Sequence, residues 1–360
     1  MKAKRKYGFK PDYAVPPGET LREVMDTQAM TQTEFAVRTG LTVQSLSRIF
    51  KGEQPLTYDT ANRLELVTGV PARFWNNLES GYREQQAKRK ALADFESGRA
   101  WLETIPTKEL ISRGEIEAQA DPRHLLRETL AFYGVSSVQA WHAIWDRPTV
   151  AARRSACFES QPGPASAWIR IGERAAFEVE SEPYDAERFR AALQDIRQAT
   201  AANPRTFQAL MKTRCAEAGV ALVFVPEMRK VPWSGATRWL TPAKAMILLN
   251  LRGKAEDKFW FSFFHEASHV LNDGKMRLSI NDGTVDDPCE ARAERFAAEI
   301  LIPHRWDAKI STAKSALQLT DLSEAIGVSS GIVAGRFQHL TQKWHFYHHL
   351  IRQFTWAAEE

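Results

Sequence analysis

The residues best suited to chemistry lie in one short segment, residues 263–271, with the sequence FFHEASHVL. His265 and His269 stand at positions i and i+4, so on a helix both imidazoles lie on one face and can reach one metal ion. Glu266, between them, cannot share that position and is instead placed to accept a proton from the attacking water. This pattern predicts a zinc site that hydrolyses peptide bonds.

A second segment supplies carboxylates that could complete the metal site. Residues 286–299, with the sequence DDPCEARAERFAAE, follow the histidine pair along the chain. Catalytic zinc is often held by two histidines and one glutamate, with a fourth position left open. Glu290 and Glu294 lie one turn apart on the same helical face, so the spacing allows either to be the third ligand. A thiolate ligand at Cys289 is a further alternative.

Strands and helices must position these residues. Apolar runs at 220–225 (VALVFV) and 245–250 (AMILLN) predict two buried strands. Helices are predicted at 258–271, which bears the histidines, and at 288–302, which bears the carboxylates. The strand before the histidine helix is expected at a sheet edge, where a peptidase can align a substrate backbone. The sequence QPGP at 161–164 is expected to break the chain.

A different chemistry is predicted near the N-terminus, where turn residues separate short helices. Thr31 and Glu34 form a capping box that opens one helix, and Gly40 ends it. Thr42 opens the next helix, so the pair matches a helix-turn-helix, although an ordinary helical bundle with a polar face is the alternative. The second helix would enter the major groove of double-stranded DNA. Predicted base contacts are Thr42, Gln44, Ser45, Ser47 and Arg48, and predicted phosphate contacts are Gln32, Thr33 and Lys51.

Composition limits the class of protein. The 360 residues are 44% hydrophobic and 26% charged with a net charge of +4, which is typical of globular proteins. No uncharged apolar run approaches the roughly 18 residues of a membrane span, and no apolar segment follows the basic start as in a signal peptide. The three cysteines are far apart and fit a reducing compartment. We therefore expect a cytoplasmic protein with no membrane partner.

Two stretches resemble known families. Residues 11–90, with the segments PPGETL, TQTE and SRIFKG and the pair Phe74-Trp75, resemble XRE-type regulators of the HigA antitoxin branch. This resemblance implies operator binding as a homodimer and pairing with a toxin. Residues 200–340, with FFHEASHVL, CEARAERFAAEILIP and LSEAIGVSSGIVAGRFQHL, resemble the ImmA/IrrE metallopeptidases.

The second resemblance implies a zinc cofactor and a substrate that is a partner regulatory protein. It also implies that a glutamate in a Glu-x-x-Ala-Asn/Asp-x-Phe-Ala stretch completes the metal site, which selects Glu290 here. Glu294 stands where that stretch has Asn or Asp. This departure leaves open whether Glu294 makes a supporting hydrogen bond to a histidine or competes as a ligand.

These observations together predict a mainly α fold with a small β-sheet (α+β), in which a five-helix helix-turn-helix domain precedes a zincin-like metallopeptidase domain. The predicted regions are a basic arm (1–17), the helix-turn-helix domain (18–86), a helical intermediate region (87–184), the metallopeptidase domain (185–345) and a C-terminal tail (346–360). The expected function is a DNA-binding transcriptional regulator with a zinc-dependent endopeptidase that cleaves a partner regulatory protein or the protein itself. The alternative is a HigA-like antitoxin or repressor whose zinc domain is a non-catalytic sensor or scaffold.

Overall fold

The computed structural model describes residues 16–145, 161–275, 278–280 and 288–357. The chain divides into two compact units, residues 1–98 and 99–360. The predicted domain limits differ from this division. The limit after residue 86 falls inside a continuous helix, and the limit after residue 184 falls inside the second unit. Most of the predicted basic arm lies outside the described residues.

Five helices build the described part of the first unit, as the sequence predicts. They are α1 Pro17–Thr27, α2 Gln32–Thr39, α3 Val43–Phe50, α4 Tyr58–Thr68 and α5 Ala72–Thr104, whose last residues belong to the second unit. Each helix contributes a fully buried side chain to one core: Leu21, Phe35, Leu46, Leu64 and Trp75. The first four helices have only 8–11 residues and are marginal alone, so burial of these side chains, roughly 1.5–3 kcal/mol each, holds them together.

The turn between α2 and α3 is fixed by capping side chains and a glycine. Thr31 Oγ1 accepts a hydrogen bond from the Glu34 backbone N–H (3.2 Å), and Thr42 Oγ1 accepts one from the Ser45 backbone N–H in α3 (3.0 Å). Gly40 ends α2 with a φ of 65°, a conformation that a Cβ atom disfavours. These predicted caps are confirmed, although the Glu34 carboxylate bonds to Arg38 (2.6 Å) rather than back to the cap.

Among the described residues, a four-stranded sheet lies at the centre of the second unit. Its strands are β1 Val220–Phe224, β2 Gly235–Thr241, β3 Lys244–Leu249 and β4 Leu278–Ile280, in the order β1-β3-β2-β4. β1 and β3 pair in parallel, whereas β2 pairs antiparallel with both β3 and β4. The expectation that the strand before the histidine helix lies at an edge is wrong, because β1 and β2 cover both sides of β3.

The two faces of this sheet are buried in separate cores. Along β3, Ala245, Ile247 and Leu249 belong to one core, and Met246 and Leu248 belong to the other. Because side chains alternate across a strand, a sheet buried on both faces requires a continuous apolar run. Both predicted buried strands have this pattern and are confirmed.

Helices of the second unit pack on both faces of the sheet and against one another. In chain order they are α6 Thr107–Ser112, α7 Pro122–Tyr133, α8 Val138–Trp145, α9 Pro162–Glu178, α10 Ala186–Gln198, α11 Pro204–Glu217, α12 Glu256–Asn272, α13 Pro288–Leu301, α14 Asp307–Ser311, α15 Ala316–Ile326 and α16 Ser330–Thr341. The predicted mainly α fold with a small sheet is confirmed, as are the helices that bear the histidines and the carboxylates. None of the described helices is long and apolar enough to cross a membrane.

The segment at 161–164 begins α9 instead of breaking the chain. Pro162 occupies the first turn of this helix, where its missing N–H has no intrahelical partner to lose. Gly163 packs so closely on the Thr104 carbonyl that a Cβ atom there would lie 2.1 Å from the oxygen. The residues that suggest a break therefore start a helix and bring it close to its neighbour.

The C-terminal segment is held against the start of α12. Ile351 and Phe354 are buried in the core that also contains the apolar side chains of α12. Arg352 forms an ion pair with the fully buried Glu256 and donates a hydrogen bond to the Ala202 carbonyl oxygen (2.7 Å). The predicted C-terminal tail therefore includes residues that belong to the core.

Candidate metal centre and nucleic-acid interface

One helix, α12, carries three of the predicted site residues. Glu256 and Asp257 lie in its first turn, where carboxylates interact favourably with the helix dipole. Most later residues are apolar and buried, because α12 packs between the sheet and α13. This packing leaves His265 and His269 each 2% exposed and Glu266 fully buried.

The structure brings the two histidines together with Glu290 of α13. His265 Nε2 lies 3.0 Å from Glu290 Oε2, and His269 Nε2 lies 3.4 Å from Glu290 Oε1. The two Nε2 atoms are 3.1 Å apart. Three atoms able to bind a metal ion therefore lie within 4.8 Å of one another.

This donor set fits zinc. Ligand atoms at about 2.0–2.1 Å from a tetrahedral zinc ion are roughly 3.4 Å from one another, close to the separations in this group. Two imidazoles and one carboxylate are a common set in catalytic zinc sites. A metal ion can bind a lone pair of each of the three ligand atoms at once. A proton bound to one of these atoms can only form a hydrogen bond to an adjacent one.

Asp273 and Arg292 orient one of the histidines. Asp273 lies one turn after His269 in sequence, and its Oδ2 atom is 2.8 Å from His269 Nδ1. Arg292 forms an ion pair with the other oxygen of Asp273 and lies two residues after Glu290. When His269 Nδ1 carries the proton, its N–H donates a hydrogen bond to Asp273. The lone pair of His269 Nε2 is then available to bind a metal ion.

The charges in this group attract a cation, and without one they hold a proton. Burial alone lowers the pKa of His269, but hydrogen bonds to Asp273 and Glu290 outweigh it and raise the pKa to about 10. Burial raises the pKa of Glu290, but hydrogen bonds to both histidines outweigh it and lower the pKa to about 2. A cation that binds here must displace the histidine proton, so its affinity is expected to fall as pH falls below 10.

Glu266 occupies a closed space beside strand β2. Its Oε2 accepts a hydrogen bond from the Thr237 hydroxyl (2.7 Å), and Oε1 has no hydrogen-bond partner among the described residues. A Cβ atom at Gly235 would come within 2.8 Å of the Glu266 side chain, so this glycine leaves room for the carboxylate. Burial raises the pKa of Glu266 despite the nearby histidines, which makes it a better proton acceptor than an exposed glutamate.

The predicted DNA contacts lie on α2, on α3 and at the caps of α3. Five of them are exposed: Thr33, Thr42, Gln44, Arg48 and Lys51. The Gln32 amide donates a hydrogen bond to the Val43 carbonyl oxygen (3.1 Å), and the Gln54 amide donates one to the Ser45 hydroxyl (2.7 Å). Ser47 is half-buried. Gln32 and Ser45 therefore also fix the position of α3 within the unit.

Two family models match the chain. A helix-turn-helix model matches residues 21–75, and the model of the IrrE N-terminal-like domain, peptidase family M78, matches residues 222–338. The second match includes both histidines and Glu290. The chain carries a helix-turn-helix domain and an IrrE N-terminal-like domain.

Solved structures similar to part of this chain include two antidote proteins. One, described as an antidote protein of a plasmid maintenance system from Nostoc punctiforme, is 25% identical, with a TM-score of 0.23. The other, an addiction module antidote protein of a HigA family from Coxiella burnetii, is 28% identical, with a TM-score of 0.22. Each match covers 23% of this chain and, respectively, 91% and 92% of the other. No curated protein matches the chain.

Within the IrrE N-terminal-like domain, Glu290 lies beside the histidine pair. Glu294, one turn further along α13, is half-buried and is not among the residues of the three-atom group. Cys289 is also half-buried and is not in that group. Of the ligands that the spacing allows, the structure therefore groups Glu290 with the histidines.

Four residues that position this site escaped the sequence analysis. The role of Asp273 could have been found in the sequence, because its i+4 spacing from His269 places both residues on the same helical face. The role of Arg292 could not, since a surface arginine on a charged helix has no distinctive pattern. Gly235 and Thr237 lie on β2, which was not predicted, and they approach the general-base position only once the sheet has formed.

Replacing Asp273 should weaken metal binding in the IrrE N-terminal-like domain. Asp273→Ala removes the acceptor that orients the His269 ring, so zinc affinity is expected to fall about 10–100-fold. Competition with a chromophoric chelator measures this change. Asp321→Ala removes a carboxylate from an exposed position on α15 and should leave the affinity unchanged. Equal affinities of the two variants would contradict the role of Asp273.

Proposed function

We propose that this protein is a DNA-binding transcriptional regulator whose IrrE N-terminal-like domain is a zinc-dependent endopeptidase. His265, His269 and Glu290 would hold the zinc ion, and Glu266 would act as the general base. The substrate would be a peptide bond in a partner regulatory protein or in the protein itself. The observation that carries the proposal is the fully buried Glu266 carboxylate beside a complete donor set, since a structural zinc site requires no base.

The site residues divide the work of hydrolysis. A zinc ion held there supplies Lewis-acid polarisation of the scissile carbonyl. Glu266 accepts a proton from water, through the oxygen that has no partner among the described residues, and returns it to the leaving amine. Thr237 holds the other oxygen of Glu266, and Gly235 leaves the space it needs. Burial keeps bulk water away, which strengthens these electrostatic interactions.

The edge strand supports an extended peptide as substrate. β4 pairs with β2, and β2 lies against α12 through the contact between Thr237 and Glu266. Edge strands offer free backbone groups to which an extended chain can add. A substrate aligned along β4 would therefore extend the sheet on the side of β2, the strand that contacts the general base.

A reporter under the protein's own promoter tests this function. Wild type and Glu266→Gln are compared under a series of stresses and cofactor changes. Repression should be relieved only in wild type, and a regulatory protein, or this protein, should be shortened only there. If both forms bind and release the promoter alike and nothing is shortened in either strain, the HigA-like antitoxin or repressor with a non-catalytic zinc domain becomes the better account.

The DNA-binding part of the proposal is tested at Arg48, which is exposed on α3. Arg48→Ala should weaken binding to a short palindromic operator by about 1–3 kcal/mol if the guanidinium reads a base. Gel-shift titration on the operator and on random duplex measures the difference. Arg73→Ala, which removes an exposed arginine of α5 outside the helix pair, is the matched control. An equal loss on both duplexes would show that Arg48 contacts phosphate instead.

A further inference from the structure

An exposed surface near the C-terminus has an unusual composition. Residues 325–358 contain no Asp or Glu, although the 360-residue chain has 44 of them. The same stretch holds three Lys and Arg residues and four of the nine histidines. Its exposed side chains cluster after α16, in a segment we term the 343–349 loop: Lys343, Trp344, His345, Phe346, His348 and His349.

The backbone of the 343–349 loop is held in one conformation. Gln342 and Tyr347 have φ values of 56° and 55°, a left-handed conformation that residues other than glycine seldom adopt. The Gln338 amide donates a hydrogen bond to the Phe346 carbonyl oxygen (2.8 Å), and the Phe346 N–H donates one to the Lys343 carbonyl oxygen (3.1 Å). Unusual backbone conformations that the surroundings maintain occur often at binding sites, and a fixed loop loses little entropy on binding.

Two side chains of this loop remain available to a partner. Trp344 is 59% exposed, and within the described residues no ring contact or hydrogen bond holds its indole. Lys343 lies 5.4 Å from the centroid of the Phe346 ring and has no carboxylate partner in the described part of the chain. The other cations of the stretch, Arg336 and Arg352, already form ion pairs. The surface thus combines a free aromatic ring with an unpaired positive charge.

We propose that the 343–349 loop binds an unpaired nucleic-acid strand, with Trp344 stacked on a base and Lys343 next to a phosphate. Single strands are bound by this combination, because every base has a flat face and every nucleotide a negative charge. An acidic peptide would satisfy Lys343 but would offer no regular series of flat rings to Trp344. The proposal is independent of peptidase activity. Single-stranded DNA and RNA share the chemistry, and the experiment separates them.

Fluorescence anisotropy of labelled oligothymidylate and oligouridylate, each about 20 nucleotides long, tests this surface with the full chain. The Arg48→Ala background reduces the contribution of the helix-turn-helix domain. Trp344→Ala should weaken binding about tenfold, whereas Trp344→Phe should retain most of it because a ring remains. Lys343→Gln should reduce the slope of log affinity against log salt by about 0.7.

Leu317→Ala is the matched control, since Leu317 is an apolar side chain 70% exposed outside the loop. Circular dichroism establishes that the variants fold. If Trp344→Ala weakens binding, the oligonucleotide that the parent chain binds more tightly identifies the strand as DNA or RNA, and equal binding of both shows that the loop accepts either. Failure of the parent chain to bind either oligonucleotide, or equal affinity in Trp344→Ala, overturns the proposal. Co-sedimentation with vesicles of phosphatidylserine and phosphatidylcholine is the second measurement. A loss in Trp344→Ala that appears with these vesicles and not with the oligonucleotides also overturns the proposal, because it would make the loop a membrane contact.

Discussion

His265→Ala and His269→Ala should each lose most of the bound zinc, whereas Glu266→Gln should retain it. Wild type should contain about one zinc ion per chain, because three donors and an open position complete a catalytic site. Removing one histidine leaves two donors and a buried gap in a site where the imidazole atoms lie 3.1 Å apart. Glu266 bonds to Thr237 and is not among the residues of the donor group, so its amide variant should leave the metal in place.

The same three variants separate metal binding from catalysis. Glu266→Gln keeps the shape of the side chain but removes the base, so cleavage of the substrate should fall about 10²–10⁴-fold with zinc retained. Metal analysis of the purified proteins gives the zinc content. The rate is measured by cleavage of the regulatory protein that is found to be shortened in the wild-type reporter strain. A wild-type protein that takes up no zinc after careful purification would remove the basis of the metal centre.

Arg352→Ala should destabilise the second unit by about 3 kcal/mol. Arg352 pairs with Glu256, which is fully buried, and also donates to backbone carbonyl oxygens, including that of Ala202. Removing the arginine leaves a buried carboxylate without its counter-charge, which costs far more than the loss of an exposed ion pair. The measurement is a urea titration of the full chain followed by tryptophan fluorescence, with Arg352→Ala compared with wild type.

Arg190→Ala provides the matched control for this loss. Arg190 pairs with Glu187 on the surface of α10, where the arginine and glutamate side chains are 51% and 85% exposed. An ion pair so exposed contributes roughly 0–1 kcal/mol, so the control should unfold close to wild type. Similar urea midpoints for the two variants would show that the C-terminal segment contributes little to the core.

The histidine pair of the metal group was predictable from the sequence because its spacing is local. Two histidines at i and i+4 must share a helical face wherever the helix packs, so His265 and His269 could be paired without a structure. The choice of Glu290 over Glu294 could not be made from spacing, since it depends on how α13 is rotated against α12. In the folded protein Glu290 is turned toward the histidines, and Glu294 is one turn away.

The strand β2 and the helix α9 show where sequence patterns fail. β2 contains Gly235 and Arg238 within a short run, which weakens the apolar signal of a buried strand. The strand is stabilised in part by its pairing with β4, which lies far along the chain, and a local sequence pattern cannot show this contact. The start of α9 misleads because its signal is strong but ambiguous. Pro162 and Gly163 are typical of a turn, but they also suit a first helical turn and a close helix contact.

The sheet with two buried faces also decides which fragments of this protein can be prepared. A fragment limited to the family match, residues 222–338, would keep most of the sheet but lose α9, whose Trp168 and Ile169 cover one face. Met246 and Leu248 would then be exposed to solvent beside free strand edges, a combination that promotes aggregation. Recombinant work on the metal centre should therefore use a polypeptide that retains α9, because without it aggregation would obscure the chemistry of the site.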